Sequence, residues 1–196
     1  MNERFTLEST VTEITENDRV NKKLPIFFDL GLCSQVKWPF SKMKLKNMMK
    51  MTKFPGQDLV DAANFILERR EAGDKITIPI WRGLPDGEAE AAEHTVLVPF
   101  VSDNEDRPAV IICPEWENGR QKMMEEGLKI AGMFSKLGCQ AFILNMREGS
   151  EADDMGRAIR FVRANHQKLH VLSDQVVLMV FGEMKVPARK LYFHSK

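Results

Sequence analysis

Cysteine is scarce in this 196-residue chain: Cys33, Cys113 and Cys139 stand alone and far apart. An odd, scattered set excludes a disulfide framework and a close-spaced zinc site. It fits reducing surroundings, so a cytoplasmic location is expected. Cys113 and Cys139 lie in apolar runs and read as buried thiols. Charge of a dominant sign is also missing, with 28 Lys and Arg against 28 Asp and Glu. That balance points to no nucleic acid and no anionic membrane as partner. Little mutual repulsion remains, which makes self-association easy. No apolar run approaches the roughly 18 residues of a membrane span. The opening Met1-Asn2-Glu3-Arg4-Phe5-Thr6 has no apolar core of a leader, so no secretory signal is expected. The phosphate-cradling patterns G-x-x-x-x-G-K-S/T and G-x-G-x-x-G are missing, as is H-E-x-x-H. No cofactor and no metal are therefore expected. There is no internal repeat and no low-complexity segment.

What is present is an ordinary globular composition, 43% hydrophobic and 29% charged. Two parts differ in pattern. Residues 1–73 read as a helical module. Thr10-Val11-Thr12-Glu13 fits a capping box, in which hydroxyl and carboxylate each satisfy the other residue's amide. Asn17 suits the start of a second short helix ending near Pro25. Gln57–Ala72 is the strongest helix, with Leu59, Ala62, Ala63, Ile66 and Leu67 on one face and Gly73 as its stop. The basic, methionine-rich run Lys42–Lys53 reads as a short helix with methionines on the core and lysines in water. The sharper alternative is a groove-binding or membrane-surface helix.

Residues 74–196 alternate between strand and helix. Ile76–Trp81, Thr95–Phe100, Ala109–Cys113, Cys139–Asn145 and Val176–Phe181 read as strands, the last three as buried ones. Arg120–Leu137 and Ala152–Leu169 read as amphipathic helices. Met124, Leu128, Ala131 and Phe134 share one face of the first, and Met155, Ile159, Val162 and His166 one face of the second. This order predicts an α/β fold, a mostly parallel sheet of about five strands flanked by helices. His166 and His170 stand four apart, a spacing that can bind zinc, but no third ligand accompanies them. Asp153 and Asp154 suit the positive end of a helix dipole.

Three segments carry a resemblance to a known family: Val110-Ile111-Ile112-Cys113-Pro114, then Gly138–Arg147 (Gly-Cys-Gln-Ala-Phe-Ile-Leu-Asn-Met-Arg), then Asp154–Asn165 (Asp-Met-Gly-Arg-Ala-Ile-Arg-Phe-Val-Arg-Ala-Asn). With them Pro108–Phe181 resembles the first half of an esterase-type α/β-hydrolase, of the acetyl-xylan-esterase and dienelactone-hydrolase-like kind. Thr10–Ile14 and Lys23-Leu24-Pro25 resemble a small helical module attached to Firmicutes esterases and glycosidases. The resemblance implies a truncated α/β-hydrolase-like domain over 74–196 after the helical module.

The departures from that family fall on its chemistry. Its nucleophile elbow, G-x-S-x-G on a strand-to-helix bend, aligns with Val180, Gly182 and Met184, so glycine stands in the serine's place. Its glycine-rich turn, which offers amides to the oxyanion, aligns with Glu115-Trp116-Glu117-Asn118-Gly119. Carboxylates there would repel developing negative charge, and losing even one donor costs about 10²–10³ in rate. The acid and histidine of a triad would follow the serine, and only Glu183–Lys196 remain, where His194 reads as a terminal surface residue. Ser173 precedes the last strand, at the wrong end of a parallel sheet. No catalytic residue is therefore expected. Glu115, Trp116, Glu117, Gly182 and Glu183 form an expected vestigial pocket. The expected function is that of a catalytically inactive hydrolase relative that binds a partner or small ligand. The alternative is a carboxylesterase whose site is completed by another chain. Val176–Phe181 becomes an apolar sheet edge, an association hazard. A homodimer through that strand is expected, with the tail Lys190–His194 as the alternative cover.

Overall fold

A computed structural model describes residues 4–27, 42–50, 55–81, 95–101, 105–117 and 119–182. The chain divides into two compact units, Met1–Ile76 and Thr77–Lys196. No described helix is long and apolar enough to cross a membrane.

Among the described residues the first unit has two α-helices, α1 (Val11–Thr15) and α2 (Gly56–Ala72). The capping box at α1 forms: Thr10 Oγ1 accepts from the Glu13 amide at 3.2 Å, and Glu13 Oε2 accepts from the Thr10 amide at 2.6 Å. Helix α2 buries Leu59, Val60, Ala62, Ala63, Ile66 and Leu67, the expected stripe with Val60 added. It ends at Gly73 with φ 74°, a left-handed cap that costs glycine little. Asn64 on α2 grips the start of the chain. Its Oδ1 accepts from the Phe5 amide at 3.0 Å, and its Nδ2 donates to the Phe5 carbonyl at 2.9 Å.

Asn17 opens a turn here and not the expected second helix. Its Oδ1 accepts from the Arg19 amide at 2.9 Å, an Asx turn that offers the backbone a local alternative to helix. A 3₁₀ turn, Leu24–Ile26, follows at Pro25. The methionine-rich run forms a 3₁₀ helix over Leu45–Lys50; Leu45 and Met48 are buried, and Met49 is exposed. Residues 51–53 of that run lie outside the described residues. Lys44 and Lys46 hold Glu8 at 2.8 and 2.7 Å.

The second unit is a five-stranded sheet with a small hairpin. Its strands are β1 (Ile78–Pro79), β2 (Val96–Phe100), β3 (Arg107–Cys113), β6 (Gln140–Asn145) and β7 (Val171–Val180), in the order β1-β2-β6-β3-β7. β3 pairs in parallel with β6 and β7, while β2 runs antiparallel to β1 and β6. Four of the five strands therefore share one direction, the mostly parallel sheet that the alternating pattern predicted. The hairpin pairs β4 (Trp116–Glu117) with β5 (Arg120–Gln121). The flanking helices are α3 (Lys129–Lys136), α4 (Glu151–Ala164) and the short α5 (His166–Leu169). Ile111, Ile112, Phe142, Ile143 and Leu144 are fully buried in the central strands. A buried side chain of this size contributes about 1.5–3 kcal/mol.

Four local expectations are corrected. Arg120–Leu137 is not one helix: it begins with β5, passes through a π turn at Met123–Leu128 and only then becomes α3. Ala152–Leu169 is broken at Asn165, so the helix ends at Ala164 and resumes as α5. Cys139 is half-buried, whereas Cys113 is sealed in β3. The last strand begins at Val171, five residues early, and carries a register break. Arg107 pairs with Val171 and Ala109 with Val176, so residues 172–175 are looped out opposite Pro108. Proline has no amide to give the ladder, which accounts for the break falling there.

β7 is a sheet edge, with β3 on one side and no described strand on the other. Residues 176–180 are not buried, and Val177 is 61% exposed.

Candidate functional site

The carboxyl ends of β3 and β7 bring four of the five expected pocket residues into one neighbourhood. Glu115 follows β3 after Pro114, and Trp116 and Glu117 form strand β4. Gly182 follows β7, anchored by the Phe181 amide donating to the Cys113 carbonyl at 3.3 Å. Glu183 lies outside the described residues, as do Met184, Asn118 and His194.

Gly182 has φ 62°, the left-handed region that glycine adopts without strain. A side chain there would have no room. A Cβ on Gly182 would run into the carboxylate of Glu115, meeting its Oε1, Cδ and Cγ atoms. The acidic residue of the turn after β3 thus fills the volume in front of the bend after β7.

Glu115 is held in that place from several sides. Lys122 Nζ donates to Glu115 Oε2 at 3.0 Å, and stands 3.4 Å from Glu117 and 3.9 Å from Glu126. The bond to Glu115, followed by its attraction to Glu117, pushes the Lys122 ammonium pKa above the usual lysine value despite a desolvation effect that opposes it. The main chain is committed as well. The Glu115 amide donates to Glu126 Oε2 at 2.8 Å, and the Lys122 amide donates to the Glu115 carbonyl at 2.9 Å. Three carboxylates therefore surround one ammonium, and the Glu115 turn amide is already bonded to a carboxylate.

Gln121 fixes the hairpin that carries these groups. Its buried Nε2 donates to the Pro114 carbonyl at 3.1 Å and to the Leu144 carbonyl at 3.4 Å. Its Oε1 accepts from the Met146 amide at 2.8 Å. One amide group thus joins the ends of β3 and β6. Trp116 packs half-buried against the core, and its indole N–H is enclosed with no acceptor among the described residues.

The sequence missed a second cluster at the same end of the sheet, just beyond β1 and β6. Asp154 is completely buried in the first turn of α4. It accepts from Trp81 Nε1 at 2.8 Å, from the Arg147 amide at 2.9 Å, and from Arg147 Nη2 at 2.7 Å. The Arg147 and Arg157 guanidinium carbons lie 5.3 and 5.5 Å from the Trp81 ring centre, within cation–π range. Arg157 Nε also donates to the Ile80 carbonyl at 2.7 Å. Asp154 sits at the favourable end of the helix dipole, as its position in the sequence suggested, but its main partners are 7 and 73 residues away. Asp153, its neighbour, is exposed.

The remaining candidates do not assemble. His170 adopts φ 51° just after α5 ends, so His166 and His170 do not share a helical face. His170 Nδ1 lies 4.0 Å from Asp106. Among the described residues no group of three or more His, Cys, Asp or Glu could hold a metal ion. Ser173 is exposed within the looped-out part of β7, away from the carboxyl ends. Burial drives the Cys113 thiol pKa far up, which keeps it protonated.

No protein-family model matches the chain, and no curated protein does. Two solved structures are similar to it in part. One is the acetyl ester-xyloside bifunctional hydrolase from Caldicellulosiruptor lactoaceticus, with 23% identity and a TM-score of 0.47; it covers 54% of this chain and 42% of that one. The other is an alpha/beta hydrolase enzyme from a Medee basin deep-sea metagenome library, with 21% identity and a TM-score of 0.39; it covers 52% of this chain and 43% of that one. The chain spans less than half the length of either.

Proposed function

We propose that this chain is an α/β-hydrolase-like protein that performs no ester hydrolysis at the Gly182 turn and acts by binding. The observation that carries this reading is the Glu115 carboxylate, which takes the space a side chain at position 182 would need. Acyl transfer needs a nucleophile there and amides facing the developing oxyanion. Glycine supplies no nucleophile. The Glu115 amide is spent on Glu126, and the carboxylates beside it oppose the charge an acyl-transfer intermediate would carry. The hydrolase resemblance in Gly138–Arg147 and Asp154–Asn165 supports descent of the scaffold, and folds of this kind host many unrelated functions. What remains at this edge is an indole, an ammonium and several carboxylates, groups suited to holding a partner or a small ligand.

The test is hydrolysis of short-chain p-nitrophenyl esters by the purified protein, with a serine-directed fluorophosphonate in parallel. The expected result is turnover no faster than buffer and no label. Stoichiometric label together with turnover would overturn the reading. It would place the nucleophile elsewhere and favour an esterase whose site another chain completes.

A further inference from the structure

We draw no further inference here: the strongest candidate, the apolar outer edge of β7 from Val176 to Val180, has nothing in the structure to show what covers it.

Discussion

Asp154 and Glu115 each set a carboxylate against a cation beside the carboxyl ends of the sheet, yet their surroundings differ. Asp154 has no exposed surface, and its oxygens take an indole N–H, a backbone amide and a guanidinium. Glu115 keeps 26% of its side chain in solvent and shares one ammonium with Glu117 and Glu126. The first cluster is closed on itself and reads as a clasp between β1, β6 and α4. The second lies just beyond the carboxyl ends of β3 and β7, the end of an open α/β sheet where ligands generally bind. Arg147, Asp154 and Arg157 also lie within two of the three segments that carried the hydrolase resemblance in the sequence. Those two segments thus contribute a buried, closed cluster to the scaffold.

The sharpest way to break this contrast is Asp154→Ala. It would remove the buried carboxylate that the Trp81 indole and the Arg147 guanidinium share. Removing one partner of a buried ion pair costs about 3–5 kcal/mol, so urea unfolding should show a loss of that order. A loss near the level of a surface substitution would mean that the clasp does not hold the sheet. Gln121→Leu tests the link between the two regions, since it takes away the acceptor of the Met146 amide and a donor to the Pro114 and Leu144 carbonyls. Buried unsatisfied groups cost about 1–3 kcal/mol each, partly relieved by relaxation, so about 2–3 kcal/mol is expected from the same measurement.

Gly182→Ser addresses the second region directly. The left-handed backbone and the displaced Glu115 side chain should together cost about 1–2 kcal/mol. Adding Glu115→Ala should return part of this, with a coupling of at least about 0.5 kcal/mol in a double-mutant cycle. Additive effects would show that Glu115 does not occupy the space in front of Gly182.

The smallest effect should come from an exposed carboxylate held by two lysines, Glu8 in the first unit. Hydrogen bonds from Lys44 and then Lys46 hold its pKa at about 2, against an ordinary value of 4.5. A lowered folded pKa gives stability that is present above pH 4.5 and lost as pH falls toward 2. Carboxyl NMR should find the midpoint near 2, and Lys44→Ala should move it up toward 4.5. Added salt should weaken the shift, because the group is open to solvent. A midpoint already at 4.5 in the unmodified protein would remove the clasp on Glu8.

Features fixed by neighbours in sequence were legible in it. The Thr10–Glu13 box, the stripe on α2, the Gly73 stop and the apolar runs of β3 and β6 follow from spacings of a few residues. So does the placement of Gly182 after the last strand. Features fixed by distant partners were not. Arg120 and Gln121 have the propensities of a helix, but Gln121 finds its acceptors at Pro114 and Leu144 and is drawn into a hairpin. Asp154 looks like any first-turn acid until Trp81 is placed beside it. The contact between Glu115 and Gly182 joins residues 67 positions apart, and no local pattern announces it.

The loop-out opposite Pro108 decides which way the end of β7 faces. Paired residues in a ladder point to the same side of the sheet, and side chains alternate along a strand. Arg107 and Ala109 share a side, so their partners Val171 and Val176 do too, although five positions separate them. A regular strand would set residues at that odd spacing on opposite faces. The slack of residues 172–175 restores the parity. It keeps Val176, Leu178 and Val180 against the same core as Val171 and leaves Val177 outward. Insertions within that slack can be absorbed, while a single residue gained or lost after Val176 would turn the remaining strand inside out.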